Sequence, residues 1–476
     1  MKPLLINGEW CTPSQALDNI NPSDTSNIID TYGQAGVPET RDAIEAARKA
    51  APNWAATTPQ QRNDLLARIG QEILSRKDEL GTLLSREEGK TLAEGTAEVI
   101  RAGHIFSFFA GEALRQAGDH LASVRPGVSI DVFREPVGVV GIIAPWNFPI
   151  AIPAWKIAPA LCFGNTVVMK PAELVPGSAW ALADIIHRAG VPAGVFNYVY
   201  GKGSVVGQTL LDHSDVDAIT FTGSQQTGQT VAAMCARHMR KMQLEMGGKN
   251  PLVVLDDADL DIAVDCAING AFYSTGQRCT ASSRLIVTRE IHDRFVEACI
   301  DRMRQLTVDH ALNAATDIGP VVDQTQLDQD IRYIEIARQE GGNLRSGGQL
   351  VTRSTPGFFL TPALFTDTTM SMTINRQEVF GPVASVIRVN NYEEALAVAN
   401  DSEFGLSAGI CTQSLKYASH FRENARAGMI MVNLPTAGVD YHVPFGGTKG
   451  SSYGSREQGR YAVEFYTNVK TAYTSP

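Results

Sequence analysis

Apolar and polar positions set out an α/β pattern along the chain. Residues 39–84 carry apolar side chains at helical spacing among charges, as in IEAARKA and LLARIGQEIL, and a second block of this kind covers residues 91–116. From Val137 the period changes. VGVVGIIA, ending at Ala144, is a β-branched run that suits a strand buried on both faces. Strand-like and helix-like segments then alternate: NTVVMK, a helix over about residues 178–189, VFNYVY, a Gly-rich turn and helix from Gly201, and DAITFTG. Strands separated by helices at this interval predict βαβ units and a parallel sheet. A second αβ series, with strands in PLVVL, SSRLIVT and ASVIRV, extends from Asn250 to about Gly447. Residues 118–135 and the tail 460–476 fit neither series. Part of the tail alternates like an exposed strand, the kind of edge that pairs with another subunit.

Composition narrows the functional classes. The chain has 476 residues, 44% hydrophobic and 19% charged, enough for a large core and roughly three domains. Its 41 basic and 51 acidic side chains give a net charge of −10 with no Lys/Arg-rich run, so neither nucleic acid nor an anionic membrane is an expected partner. A small molecule is. Seven cysteines, an odd number with no CxxC, read as a reduced cytoplasmic inventory rather than a disulfide framework or metal site. MKPLLINGEW turns polar too early for a signal-peptide core. The long uncharged run over residues 136–155 contains Pro145, Pro149 and Pro153, which break a membrane helix into a strand, a loop and a helix start.

Four segments could carry chemistry. In ITFTGSQQTG, a strand runs into Gly223, Ser224 and a helix that begins before Gly228; this is either a phosphate-binding helix N-terminus or a tight βα turn. In FYSTGQRCTASS, Cys279 lies in a small, polar setting beside Arg278, whose charge could favour a thiolate nucleophile; the alternative is a small buried hydrophobe. In LEMGGKNP, Glu245 precedes a Gly-Gly turn and is either a general base with a raised pKa or a solvated acid at a strand end. In APWNFP, Asn147 stands between prolines, able to donate its amide to an oxyanion or merely to make a turn. Lys170 and Glu173 follow in VVMKPAEL, where the lysine could reach a ribose or phosphate or could simply be solvated.

These motifs, with EVFGP at 378–382 and PFGG at 444–447, occur in one order that resembles the aldehyde dehydrogenase superfamily over essentially the whole chain. The resemblance implies two Rossmann-type αβα domains plus a small β oligomerisation element. Their boundaries would be an NAD(P)-binding domain over 1–118 and 138–246, a catalytic domain over 247–447, and a bridging element over 119–137 and 448–476. It implies Cys279 as nucleophile, Glu245 as general base and Asn147 as oxyanion donor, with Lys170 beside them. Ile143, Pro145, Trp146, Lys170, Glu173, Gly203, Gly207, Gly223, Ser224, Glu378 and Phe380 would hold the cofactor. No metal is required. Glu173 would accept ribose hydroxyls and repel a 2′-phosphate, so NAD is preferred over NADP. A homodimer or homotetramer is implied as well.

By the same resemblance the substrate tunnel would include Arg101, Phe148, Ile152, Trp155, Arg278, Thr280 and Phe445. Two arginines facing a cleft suit a carboxylate, and the segments NLPTAGVDYHVPFGGTKG and GQRCTASSR look most like α-ketoglutaric semialdehyde dehydrogenases. Succinate or glutarate semialdehyde and a broad aldehyde range are the alternatives. Arg278 facing solvent or pairing with a protein acid would weaken the carboxylate reading. A catalytically silent member of the fold and a nicotinamide-free cysteine hydrolase are opposed by the presence of Cys279 and Glu245, and by the turn at Gly223 with Lys170 and Glu173.

Overall fold

A computed structural model describes residues 1–476. One sheet has eight strands in the spatial order Glu9–Cys11, Leu4–Ile6, Phe196–Tyr198, Thr166–Lys170, Val139–Ile143, Ala218–Thr222, Lys241–Glu245, Ser452–Tyr453. Its five central strands, from Phe196–Tyr198 to Lys241–Glu245, are parallel. The Val/Ile-rich composition of Val139–Ile143, broken only by Gly141, follows from helices covering both faces, since Val139, Val140 and Ile142 are wholly buried. Strand order reverses on either side of Val139–Ile143, which opens a crevice at the carboxyl ends.

The second sheet has seven strands in the order Asn343–Ser346, Ala363–Thr366, Val383–Val389, Arg284–Thr288, Pro251–Val254, Ser407–Cys411, Met429–Val432, parallel except at the first pair. The two segments outside both series meet each other: Thr467–Thr474 pairs antiparallel with Ser129–Pro136, which pairs with Asp119–Ala122. No helix is long and apolar enough to cross a membrane.

The first helical block divides into Val37–Ala55, Pro59–Ser75 and Lys77–Glu88, the second of these capped by Thr58 with proline in its first turn. The second block is Leu92–Ala113, opened by a Thr91 and Glu94 capping box. The helix expected from Gly201 begins as one π turn, Gly203–Gly207, and becomes α-helical only over Gln208–Asp212. The hairpin of Gln15–Asn21 and Asp24–Gln34 has no counterpart in the sequence pattern.

Candidate active site

Four neighbouring strand ends supply one wall of the crevice. In register, Ile143 lies beside Lys170 and Phe221, and Thr222 lies beside Glu245. Lys170 is buried, and its ammonium donates one hydrogen bond, to the Pro171 carbonyl at 2.8 Å. Burial lowers its pKa to about 8, against the opposing pull of Glu173. A Cβ on Gly203 would lie 3.7 Å from Glu173 Oε1 and 3.8 Å from Lys170 Cε, and one on Gly207 would lie 3.8 Å from Lys170 Cδ and 4.0 Å from Ile143 Cδ1. Glycine therefore leaves space above an ammonium with spare donors, a fit for the hydroxyl and phosphate oxygens of a nucleotide. The Glu173 carboxylate accepts from the Gly203 N–H at 2.7 Å and so holds the π turn against this cluster.

Gly223 and Ser224 follow the next strand. Ser224 caps the helix Gln225–Arg237 by accepting from Thr227 N–H, and Gly223 N–H donates to the Glu245 carbonyl at 3.1 Å. Pro145 leads into Trp146, whose ring meets the Phe380 ring edge-on at 5.4 Å. Glu378 accepts from Gly248 N–H at 2.8 Å, and its pKa is raised to about 7 by burial, with Lys249 pulling the other way. A Cβ on Gly247 would come within 1.9 Å of the Glu378 carboxylate, so that glycine is what admits the acid.

Cys279 is half-buried at the floor of a separate cleft of about 420 Å³. It is delivered by a tight passage in which Ser274, Thr275 and Gly276 all have positive φ, of 51°, 56° and 66°. Gly276 has no alternative here, because a Cβ would meet the Gly381 carbonyl oxygen at 2.2 Å. Asn250 fixes the far side of the passage by donating to the carbonyls of Cys279 and Ala281, at 2.8 and 3.0 Å. The buried Asn147 amide donates to the Gln277 carbonyl at 3.0 Å, which brings it to the same loop.

Glu245 is buried, not solvated, and Ser452 donates to its carboxylate at 2.5 Å from the opposing position of the adjacent strand. Burial, then the field of Glu457, holds its pKa well above the usual carboxylate range. Glu457 itself forms a buried ion pair with Lys156.

One electrostatic expectation is corrected. The Cys279 thiol is not lowered by Arg278; it is pushed up to about 12 by burial and by the carboxyls of Glu378 and Glu245. Arg278 is instead engaged with Glu94 at 3.2 Å, with longer contacts to Asn269 at 3.4 Å. Arg101 donates to the Val439 carbonyl and to Gln458 Oε1, the latter at 2.8 Å, and burial lowers its pKa to about 10.

All seven residues expected in the tunnel line this cleft: Arg101, Phe148, Ile152, Trp155, Arg278, Thr280 and Phe445. Trp155 and Phe445 face each other at 5.4 Å, with Arg101 over the Trp155 ring at 5.6 Å. Sequence reasoning missed Lys90, Glu94, Glu98 and Asn269, which also line it. A signal was present: Glu94, Glu98 and Arg101 recur at helical spacing on one face of Leu92–Ala113. Cys279 lines the cleft, the Asn147 amide meets its loop at Gln277, and Glu245 is near enough for its field to act on the thiol. Together a thiol, an amide donor and a buried carboxylate can add to a carbonyl, stabilise the resulting oxyanion and activate water.

The aldehyde dehydrogenase family model matches residues 10–472. The chain is 42% identical to the alpha-ketoglutaric semialdehyde dehydrogenase of Bacillus subtilis, over 99% of this chain and 97% of that protein. It is 41% identical to the alpha-ketoglutarate semialdehyde dehydrogenase of Haloferax volcanii, over 99% and 98%. The crystal structure of Staphylococcus aureus betaine aldehyde dehydrogenase in complex with NAD+ superposes with a TM-score of 0.97 at 33% identity, over 100% of this chain and 95% of that one. With likeness along its full length in both sequence and fold, the chain belongs to the aldehyde dehydrogenase family.

Proposed function

We propose that the protein oxidises α-ketoglutaric semialdehyde (2,5-dioxopentanoate) to 2-oxoglutarate with NAD(P). The observation that carries this reading is the full-length likeness to relatives of that specificity. The cleft ending at Cys279 adds an apolar body from Ile152, Trp155 and Phe445 with the guanidinium groups of Arg101 and Arg278, although the pairing of Arg278 with Glu94 weakens the carboxylate argument from that arginine. Such a lining suits a short aldehyde with a distal carboxylate, in agreement with the full-length relatives of that specificity.

The Cys279 thiolate adds to the aldehyde carbon, and the new alkoxide receives a hydrogen bond from the Asn147 amide. When bound, NAD(P) would supply the acceptor for the hydride that leaves this adduct, and a thioester would remain on Cys279. Glu245 then takes a proton from water, whose oxygen attacks the thioester carbon and frees the thiolate and the acid. Lys170 and Glu173, with Gly203 and Gly207, would hold the adenosine ribose and phosphate, and the Glu173 carboxylate favours NAD over NADP. Gly223 and Ser224 would lie near the pyrophosphate, Glu378 and Phe380 would hold the nicotinamide riboside, and Ile143, Pro145 and Trp146 would line its cleft.

Residues 1–118 with 138–246 form the cofactor domain in this reading, residues 247–447 the catalytic domain, and 119–137 with 448–476 a bridging element, of which Ser452–Tyr453 also joins the edge of the cofactor-domain sheet. That element extends a neighbour's sheet in a cytoplasmic homodimer or homotetramer. The test is initial rates with 2,5-dioxopentanoate, succinate semialdehyde, glutarate semialdehyde, propanal and benzaldehyde, each with NAD and with NADP. The highest kcat/KM should fall on 2,5-dioxopentanoate with NAD and vanish in Cys279→Ala. A preference for uncharged aldehydes would refute the substrate reading.

A further inference from the structure

The segment carrying Asn147 has little of its own to hold it in place. Residues 144–150 are irregular, lying between the strand Val139–Ile143 and the helix Ala151–Cys162, and both Pro145 and Pro149 lack an N–H. Its start is tied by Ala144 N–H donating to the Lys170 carbonyl at 3.0 Å, and the rest of the fastening comes from two side chains elsewhere in the chain. Lys90 Nζ donates to the Asn147 carbonyl at 2.5 Å and to Glu98 Oε2 at 2.7 Å, and stands 3.8 Å from the centroid of the Phe148 ring. The other Glu98 oxygen accepts from the N–H groups of Ile150 and Ala151, each at 3.1 Å. One ion pair therefore grips the turn at its middle, Asn147, and at its far end, Ile150 and Ala151, while the Asn147 side chain reaches across to the Cys279 loop.

This pair is costly if its only purpose is stability. The Lys90 and Glu98 side chains are 1% and 2% exposed, and a buried ion pair commonly returns no more than well-packed apolar residues would. It spends its hydrogen bonds on the main chain of the turn. Where Lys90 lines the cleft its side chain is only 1% exposed, and its ammonium is given to Glu98 and the Asn147 carbonyl.

We propose that Lys90 and Glu98 are positioning residues for the oxyanion site, acting through the main chain of Asn147 to aim its amide. The inference rests on Asn147 being the oxyanion donor in the reading above. A shift of about 1 Å in such a donor costs about 100-fold in rate, so the loss should appear in kcat and not in binding.

The test is a double-mutant cycle on the full-length enzyme, using Lys90→Met, Asn147→Ala and the two combined. Each is assayed for kcat and KM with 2,5-dioxopentanoate, for NAD affinity by fluorescence quenching, and for active sites counted by Cys279 labelling. Lys90→Met should lower kcat per active site by about 100-fold, with KM and NAD affinity little changed. In the Asn147→Ala background the same substitution should cost less than about threefold, because the group it aims is gone. Losses that multiply across the two sites, or a Lys90→Met kcat equal to wild type, would overturn the proposal. If Lys90→Met does not fold, Lys90→Gln, which removes the charge and keeps an N–H donor, replaces it in the same cycle under the same criterion. Asn147→Ala with undiminished kcat would overturn the oxyanion reading itself, a result distinct from multiplying losses.

Discussion

The Arg278 guanidinium and the Glu94 carboxylate meet at 3.2 Å on the wall of the cleft that ends at Cys279, and the same Glu94 oxygen accepts from Ser274 N–H and Oγ at 2.8 and 3.0 Å. The arginine thus reaches the cleft already partnered, and its partner also tethers the passage that carries the nucleophile. A substrate carboxylate at Arg278 has to share it with Glu94.

That sharing gives two opposite effects. Arg278→Leu should raise KM for carboxylated semialdehydes by about 10- to 100-fold, the loss of one charge-assisted hydrogen bond, and leave propanal nearly unchanged. Glu94→Gln, which relieves Arg278 of its competitor, should lower KM for the same semialdehydes. Equal effects on propanal and on 2,5-dioxopentanoate would remove Arg278 from substrate selection.

The pH dependence follows from groups that resist charge. Cys279 has its pKa raised to about 12 and Glu245 has its own raised above the carboxylate range, so the reactive form of each gains population as pH rises. In the cofactor-free protein, alkylation of Cys279 by iodoacetamide, read by mass spectrometry, should accelerate about tenfold per pH unit from about pH 7 to 9. A plateau below pH 8 would mean that the thiol ionises far more easily than its surroundings imply.

Glu88 makes a stability prediction. It is fully buried, one oxygen accepts from Lys90 N–H at 3.0 Å, the other has no hydrogen bond and lies 3.9 Å from Lys90 Nζ, and burial, against the pull of Lys90, raises its pKa from 4.5 to about 8. Between those values the unfolded chain has released the proton and the folded chain has not. Stability contributed by this group is therefore present at low pH and declines as pH rises through that window. Glu88→Gln keeps an acceptor and cannot ionise, so its Tm should match wild type near pH 4.5 and exceed it increasingly up to about pH 8. A constant Tm difference across that range would show that Glu88 ionises alike in both states.

Sequence reading was most successful where a local rule coincides with the tertiary role. Strands 139–143, 166–170 and 218–222 were legible because burial on both faces demands β-branched runs, whereas Cys279, Glu245 and Asn147 stood out beside turns but took their roles only from the family resemblance. The hairpin over residues 15–34 was not, since Gln15–Asn21 is mostly exposed and shows no apolar alternation. Glu94 and Lys90 belong to none of the motifs read from the sequence. Their roles depend on closures across 180 residues, from Glu94 to Ser274, and 57 residues, from Lys90 to Asn147, which no local pattern records. Arg278 was placed correctly in the cleft and misjudged electrically, because its partner is one of those remote acids.

The last stretch of chain has a different significance for anyone altering the protein's ends. Ser452 holds Glu245, Glu457 pairs with Lys156, Gln458 accepts from Arg101, and only then does Thr467–Thr474 emerge as an outer strand. A stop codon placed ahead of Ser452 would therefore delete supports of the base and of a cleft arginine along with the surface strand. Such a clone would lose turnover and edge pairing in one stroke.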